Sequence, residues 1–151
     1  MLAIASVAAA QRPTDIVKWT AVAPAKAVQV GGVAKVALTA EVEPGWKLYA
    51  LTQPKGGPSP LAIKIAKDAP FAIVQKDIAR PLPKVQKDDV FSLETMYYEH
   101  EAEFVVPVSI PKTATPGTQV VPIEVTFQAC GQSICLRPFT QRLEVSVSIS
   151  K

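Results

Sequence analysis

The chain has 151 residues, of which 48% are hydrophobic and 19% charged, and this balance excludes a disordered chain. Its length suffices for one domain with a substantial core but not for two ordinary domains. A net charge of +3 from scattered residues does not indicate a nucleic-acid surface, and one histidine with two cysteines cannot complete a four-ligand zinc site without carboxylates. We therefore expect no metal and no nucleic-acid partner.

The N-terminus, residues 1–11, is similar to the second half of a secretory signal. It is apolar and uncharged and ends in the small residues Ala8–Ala10 before Gln11, although the usual basic start is missing. A short apolar strand or helix is the alternative interpretation. We exclude this segment from the fold and predict a single domain over residues 12–151. No later stretch has 18 consecutive apolar residues, so no membrane span is expected.

Further along the chain, hydrophobic and polar residues alternate with a period of two, which is typical of half-buried β-strands. The 14 prolines favour short strands over long helices, and no window of 12 residues has a clean helical stripe. Strands that are polar on one face and lack intervening helices predict an all-β antiparallel sandwich. Strands are predicted at about 16–22, 36–42, 46–51, 61–65, 96–98, 104–110, 121–127 and 143–149.

The segments between these strands are rich in turn-forming residues. Pro54–Pro60 and Arg80–Pro83 are too rich in proline for regular central strands. Residues 84–95 are predicted to form a polar loop that carries two large apolar side chains, Phe91 and Leu93. Such side chains must pack on something, and a small satellite cluster beneath the loop is the simplest explanation.

The two cysteines, Cys130 and Cys135, directly follow a strong strand pattern. Gly131 and Ser133 favour a tight reversal between them, and a hairpin of this kind brings two sulfurs within bonding reach. Closing so short a loop stabilises a fold by roughly 2 kcal/mol, which a sandwich of this size does not need. The spacing therefore permits both an exchangeable bond and a structural one. In an exported chain either bond would persist, because the compartment is oxidising.

The residues near Cys135 bear on its reactivity. Thiol–disulfide exchange requires a thiolate that attacks a disulfide in line. Arg137 lies two residues after Cys135, so on a strand it shares a face with the sulfur and would favour the thiolate. An ordinary solvated arginine is the alternative.

The run Phe127-Gln-Ala-Cys-Gly-Gln-Ser-Ile-Cys-Leu-Arg-Pro138 resembles the active-site hairpin of the N-terminal periplasmic domain of the DsbD thiol–disulfide interchange family. That family has an aromatic residue, Gln, a small residue, Cys, four or five residues, Cys, an apolar or aromatic residue, and Pro-Pro. Here Arg137 replaces the first of those prolines. Pro44–Tyr49, Asp88–Phe91 and Phe104–Val108 are similar to the family's glycine-aromatic strand, acidic-aromatic cap loop and following strand. The resemblance covers roughly residues 15–150.

The resemblance implies an immunoglobulin-like sandwich with a redox-active cysteine pair in a cleft. It implies that a thioredoxin-like domain is the electron donor, and that a periplasmic disulfide isomerase or cytochrome c maturation thioredoxin is the acceptor. It assigns the mixed disulfide to Cys135, the resolving thiol to Cys130, and the shielding of the bond to Phe91. The chain would then be a protein-disulfide reductase module that uses no cofactor and is exported to the periplasm or another extracytoplasmic compartment, alone or as part of a membrane-anchored protein.

Other positions carry less specific expectations. Asp88 and Asp89 would raise the pKa of the thiols if they lie near the sulfurs. Tyr49 and Arg137 are expected to line the cleft. If the cap alignment slips, Leu93 or Tyr97 replaces Phe91 as the shield. The rival function is a non-catalytic extracytoplasmic β-sandwich that binds protein or polysaccharide, with Cys130–Cys135 as a structural staple.

Overall fold

The computed structural model describes residues 10–151, which form mainly antiparallel β-structure. The predicted signal remnant over residues 1–11 lies outside the described residues except for its last two. One helical turn, α1 (Pro13–Ile16), and a 3-10 helix (Gln75–Asp77) interrupt the strands. The strands are β1 (Val17–Val22), β2 (Val28–Gln29), β3 (Val33–Val42), β4 (Lys47–Tyr49), β5 (Ala62–Ile65), β6 (Ala72–Ile73), β7 (Lys84–Asp88), β8 (Leu93–Tyr98), β9 (Glu101–Ser109), β10 (Gly117–Phe127), β11 (Ala129–Cys130) and β12 (Phe139–Ser150).

The predicted β-sandwich is confirmed by two packed sheets with the strand orders β1-β3-β9-β6 and β2-β12-β10-β5. In β3 every second residue is buried, as the alternation predicts. The core joins the two sheets, because the Trp19 ring lies 6.0 Å from Phe104 in the first sheet and 6.0 Å from Phe127 in the second. Burying these rings is among the largest contributions to the core, because each aromatic side chain removes about 150–250 Å² from water.

A third sheet, β11-β4-β8-β7, lies where strands of the two main sheets continue past one end of the sandwich. β4 follows β3, β9 follows β8 and β11 follows β10, so the chain passes from each main sheet to the third one. The turn before β4 has Gly45 at φ +85°, and Trp46 N–H donates to Glu43 O at 3.1 Å. This backbone conformation favours glycine because a Cβ would be strained there. The third sheet carries both cysteine-bearing and cap-bearing segments.

Residues 84–95 are not a loop throughout, and this part of the sequence interpretation is wrong. β7 and β8 pair antiparallel from Lys84–Tyr97 to Asp88–Leu93, which leaves a tip of only four residues at 89–92. The sequence of β7 does not alternate between hydrophobic and polar residues, because β7 is an edge strand whose first four residues are all exposed. The cap is therefore the tip of a hairpin, and its position follows from strand register.

Candidate functional site

The cysteine hairpin begins where β10 leaves its sheet at Phe127. Gln128 interrupts the strand, and β11 then brings Cys130 into an isolated bridge with Cys135. The two cysteines form a disulfide with an S–S distance of 1.97 Å and Cα atoms 4.1 Å apart. Gly131 N–H donates to Ile134 O at 2.8 Å and closes the reversal. The two cysteines are therefore joined by a tight turn, as the sequence predicts.

Strand register decides which side chains share a face with the disulfide. Cys130 pairs with Lys47, and Tyr49, two residues further along β4, pairs with Tyr97. Directly paired residues lie on the same face, and so do residues two apart in a strand. Asp88 lies on this face too, because β7 pairs Lys84 with Tyr97 and Asp88 is four residues after Lys84. The opposite face of the sheet turns toward the main core.

The disulfide rests on aromatic rings that are themselves buried. Tyr49, Tyr97 and Cys130 form a small hydrophobic cluster separate from the main core, and the partly buried Phe91 and Cys135 pack against it. The Phe91 ring meets Tyr49 edge-on, with centroids 6.0 Å apart and planes at 87°. This arrangement is a favourable geometry for two aromatic rings. The satellite cluster expected beneath the loop therefore includes the disulfide itself.

The two sulfur-bearing residues differ in access. Cys130 is only 2% exposed, whereas Cys135 is partly exposed on the return arm of the hairpin. Cys130 is deeper because its neighbour Ala129 faces the core and its own side chain turns under the cap. Of the two cysteines, Cys135 is therefore the more exposed residue.

Asp88 holds the cap in place. Its Oδ1 accepts hydrogen bonds from the backbone N–H of Val90 at 2.9 Å and of Phe91 at 3.4 Å, and its backbone oxygen accepts one from Ser92 at 2.7 Å. An aspartate that accepts from the following backbone groups in this way is a common turn device. Its Oδ2 accepts from the Tyr49 hydroxyl at 2.6 Å, so one carboxylate joins the cap to the floor beneath the disulfide.

Both partners of this hydrogen bond have perturbed pKa values. Burial acts to raise the pKa of Asp88, but the hydrogen bonds from Tyr49, Val90 and Phe91 and the charge of Lys47 outweigh it, so the pKa lies below its ordinary value. Burial, followed by the hydrogen bond and charge of Asp88, raises the pKa of Tyr49. The site therefore holds a carboxylate that accepts from a neutral phenol at physiological pH.

We predict that Asp88→Asn lowers the unfolding free energy by about 1–3 kcal/mol at pH 7, because the amide lacks the negative charge that strengthens these hydrogen bonds and its nitrogen cannot accept from the Tyr49 hydroxyl. A carboxyl whose folded pKa is depressed stabilises the fold above its unfolded pKa, and this contribution disappears as pH falls through the folded pKa. The difference between wild type and variant should thus shrink from pH 5 toward about pH 2 in denaturant titrations. Asp89→Asn, an exposed neighbour in the same tip, is the control and should change stability by less than about 0.5 kcal/mol. A constant difference across this pH range contradicts the assignment.

A polar cleft of about 360 Å³ lies beside Cys130, between the cysteine hairpin and the cap. The structure brings Asp88, Asp89 and Cys130 together in this cleft. Tyr49 is fully buried beneath the disulfide and Arg137 is exposed, and neither belongs to the lining. The lining consists of Gly45, Lys47, Gln86, Lys87, Asp88, Asp89, Val90, Glu99, Cys130, Gly131 and Gln132.

The sequence does not indicate what several residues of the site contact. Lys47 places its ammonium group 4.5 Å from the centre of the Tyr97 ring, and the Tyr97 hydroxyl donates to Gln86 at 2.8 Å. Gln128 bonds two separate loops through its side chain. Sequence reasoning considered Tyr97 only as an alternative shield and gave no role to the other three. Strand register, which the sequence did not predict, is what places Lys47 and Gln86 beside Tyr97.

Comparison with known proteins agrees with this geometry. The family model described as "Thiol:disulfide interchange protein DsbD, N-terminal" matches residues 15–147. A comparison with curated proteins finds no match. The chain is similar to the N-terminal domain of Neisseria meningitidis DsbD in the reduced form, with 15% identity and a TM-score of 0.60, covering 91% of this chain and 90% of that one.

A second solved structure has the same fold. The N-terminal periplasmic domain of ScsB from Proteus mirabilis is 18% identical with a TM-score of 0.57, and the match covers 92% of this chain and 49% of that one. The chain thus spans about half the length of the ScsB structure. At these identities the structures support the immunoglobulin-like fold, and the family model supplies the family. The chain therefore belongs to the DsbD N-terminal domain family, and its disulfide-bonded cysteine pair, packed with an aromatic side chain, fits a thiol–disulfide interchange module.

Proposed function

We propose that this chain relays reducing equivalents through Cys130–Cys135, from a thioredoxin-like donor to periplasmic acceptor proteins. The observation that carries the proposal is a disulfide outside the main core, in a cluster against which Phe91 at the tip of another hairpin packs, with one of the two cysteines partly exposed. A bond needed only for stability gains nothing from such a cover. A bond that must react with chosen proteins does, because the cover excludes small thiols.

The exchange proceeds in two steps whose electrons balance. A donor thiolate attacks Sγ of Cys135, the S–S bond breaks, and Cys130 leaves as a thiolate and takes up a proton. The second donor thiolate then attacks the donor sulfur of the mixed disulfide and releases Cys135. The donor becomes oxidised to a disulfide, and the domain becomes a dithiol with two electrons and two protons gained. Delivery to an acceptor is the reverse, with Cys135 attacking and Cys130 resolving.

The surface around the disulfide suits a protein partner. Val90 in the cap and Ile134 in the cysteine hairpin are 55% and 57% exposed, and they lie at the tips of the two hairpins that meet at the disulfide. Exposed aliphatic side chains at a cleft are favourable contacts for a docking protein. Phe91 must move for the attacking sulfur to reach the bond in line. We propose periplasmic disulfide isomerases or cytochrome c maturation thioredoxins as the acceptors.

We propose an extracytoplasmic location and one exchange domain over residues 12–151. A disulfide-bonded cysteine pair fits an oxidising compartment, and the ScsB domain of similar fold is described as periplasmic. Among the described residues, no helix has the length and apolar character that crossing a membrane requires. Membrane anchorage of a longer protein that contains this domain is compatible with the proposal.

One observation favours the rival function, a binding module with a structural disulfide. Cys130 is almost wholly buried, as a bond that only stabilises the fold would be. The two functions differ in the stability of the bond, because a disulfide that resists reduction also contributes more to the folded state.

We expect the pair to have a reduction potential above about −250 mV in glutathione redox buffers. The double variant Cys130→Ala/Cys135→Ala should melt within about 3 °C of the wild type, since an easily reduced bond contributes little to stability. The wild type reduced with excess thiol is the control and should melt close to the variant. A potential below about −300 mV with a loss of several degrees would establish the structural role instead.

A further inference from the structure

We propose that Gln128 is a positioning residue that holds the Cys135 arm of the hairpin and thereby sets the reduction potential of the pair. The proposal rests on the exchange function above, because a tether on this arm affects electron transfer only if the disulfide opens. Gln128 occupies the one-residue gap between β10 and β11. It is therefore the point at which the chain passes from the main sheet to the cysteine-bearing sheet.

Gln128 uses its backbone and both ends of its side chain. Its backbone oxygen accepts from Tyr49 N–H at 3.2 Å, on the strand beneath the disulfide. Its Oε1 accepts from the backbone N–H of Ser59 at 2.8 Å, and its Nε2 donates to the backbone oxygen of Leu136 at 3.1 Å. A backbone N–H can only donate and a carbonyl can only accept, so these contacts fix the orientation of the amide. One side chain thus joins the loop around Ser59 to the residue that follows Cys135.

The return arm of the hairpin depends on this contact. Leu136 N–H donates to Ala129 O at 3.0 Å, and Leu136 O accepts from Gln128, so both backbone groups of Leu136 are held from the Cys130 side. Cys135 directly precedes Leu136. When the S–S bond opens, these hydrogen bonds still hold the Cys135 backbone opposite Cys130.

The segment around Ser59, which bonds to Oε1 of Gln128, has a restricted backbone. Ser59 lies between Pro58 and Pro60 in a connection that contains three prolines, each of which fixes its own backbone φ angle. Pro58 is also buried. Gln128 is therefore fixed from outside the hairpin, and it can restrain the arm that carries Cys135 whether or not the disulfide is formed.

A restrained arm changes the redox equilibrium. Oxidation of the dithiol by glutathione disulfide forms one protein S–S bond, breaks the glutathione S–S bond and releases two glutathione thiols, so two electrons pass to glutathione. The protein bond forms more readily when the two thiols are already close, because less conformational entropy is lost on closure. Gln128 therefore favours the disulfide, and its removal favours the dithiol.

The test measures the equilibrium between dithiol and disulfide in Gln128→Met, a side chain of similar length without either hydrogen bond. The equilibrium constant for disulfide formation should fall about tenfold, which makes the potential about 30 mV less negative for this two-electron couple. Gln141→Met is the matched control. Gln141 is also partly buried, but it lies within β12 and its Oε1 has no hydrogen-bond partner in the described part of the chain. Its substitution should leave the constant within about twofold of wild type.

Melting of both redox forms separates positioning from a general loss of stability. Positioning predicts that Gln128→Met destabilises the oxidised form more than the reduced form, whereas a merely structural contact would destabilise both equally and leave the potential unchanged. If Gln128→Met fails to fold, Gln128→Glu keeps an acceptor for Ser59 and replaces the donor to Leu136 with a charged carboxylate oxygen, and it should shift the potential in the same direction. An unchanged potential in the folded variants overturns the proposal.

The same measurements distinguish this proposal from the exchange function. If the wild-type pair equilibrates below about −300 mV and resists thioredoxin-type proteins, the exchange function is wrong, and the tenfold change in Gln128→Met would still measure the tether. If the wild type exchanges as proposed and Gln128→Met matches its potential, only the role of Gln128 is wrong.

Discussion

Single-cysteine variants should separate the two sulfurs by reactivity. We expect both Cys130→Ala and Cys135→Ala to lose disulfide exchange by at least about 100-fold, because neither can complete the cycle of attack and resolution. The partner is a thioredoxin-type protein that lacks its resolving cysteine and whose remaining cysteine is already disulfide-bonded to a small aromatic thiol. We expect Cys130→Ala, whose remaining thiol is Cys135, to form a lasting mixed disulfide with this partner, because the Cys135 thiolate attacks the partner's sulfur and releases the aromatic thiol. Cys135→Ala should form this adduct at least about tenfold more slowly, because Cys130 is 2% exposed and lies under the cap. Non-reducing electrophoresis over time measures both rates.

The control for this experiment is the same pair of variants in denaturant, where both thiols are exposed. Their reactions with a small aromatic disulfide should then become equal, which attributes the native difference to burial. Equal adduct formation by the two native variants contradicts the assignment of Cys135 as the attacked sulfur. The absence of any adduct, with both thiols intact, contradicts the exchange function itself.

Removal of the cap side chain should have the second largest effect. Phe91→Ala takes away the ring that packs edge-on against Tyr49 and against the cluster that contains the disulfide, and that we propose as its shield. We expect dithiothreitol to reduce the disulfide about 10–100-fold faster in this variant, because a small thiol no longer has to wait for the cap to move. Reduction by a thioredoxin-type protein should change much less, since a docking protein displaces the ring in the wild type. Stopped-flow measurement of both reactions gives the ratio.

Phe71→Ala is the matched control for this prediction. Phe71 is also partly buried, but it lines a pocket with Pro111 and Gln119. Gln119 lies near the start of β10, at the opposite end of that strand from the cysteine hairpin. Its substitution removes an aromatic side chain without opening the disulfide, so the dithiothreitol rate should stay within about twofold of wild type. If Phe91→Ala leaves that rate unchanged, Phe91 does not shield the bond, and Tyr97 is the next ring to test.

The strands of the sandwich could be predicted from the sequence because hydrophobic residues alternate with polar ones along each strand as buried positions alternate with exposed ones. Val36, Leu38 and Ala40 of β3 alternate with more exposed neighbours, so the period of two is visible without any knowledge of the partner strand. β7 lacks this alternation. It lies at a sheet edge with Lys84 to Lys87 all exposed, and the sequence pattern therefore resembles a polar loop. Its strand conformation depends on pairing with β8, which is a property of the tertiary structure.

The candidate site likewise has features that the sequence predicts and contacts that it does not. The spacing of Cys130 and Cys135 with a glycine between them indicates a reversal, and the surrounding motif indicates the family. The hydrogen bond between Tyr49 and Asp88 joins residues 39 positions apart, and nothing in either local segment predicts it. Gln128 is part of the recognisable motif. Its side chain nevertheless bonds to the backbone of Ser59 and Leu136, which only the folded chain brings together.

The sequence by itself determined the β-sandwich class, the tight cysteine hairpin and the presence of a large aromatic residue in an acidic segment, because these depend on residue type and short spacing. Only the tertiary structure decided that Cys130 is buried while Cys135 is partly exposed, and that Phe91 packs against Tyr49 and the cluster that contains Cys130. The physical reason is that alternation specifies which residues of a strand share a face, whereas register and sheet order specify which faces meet. That second choice depends on contacts between distant segments, and it determines the access of each sulfur.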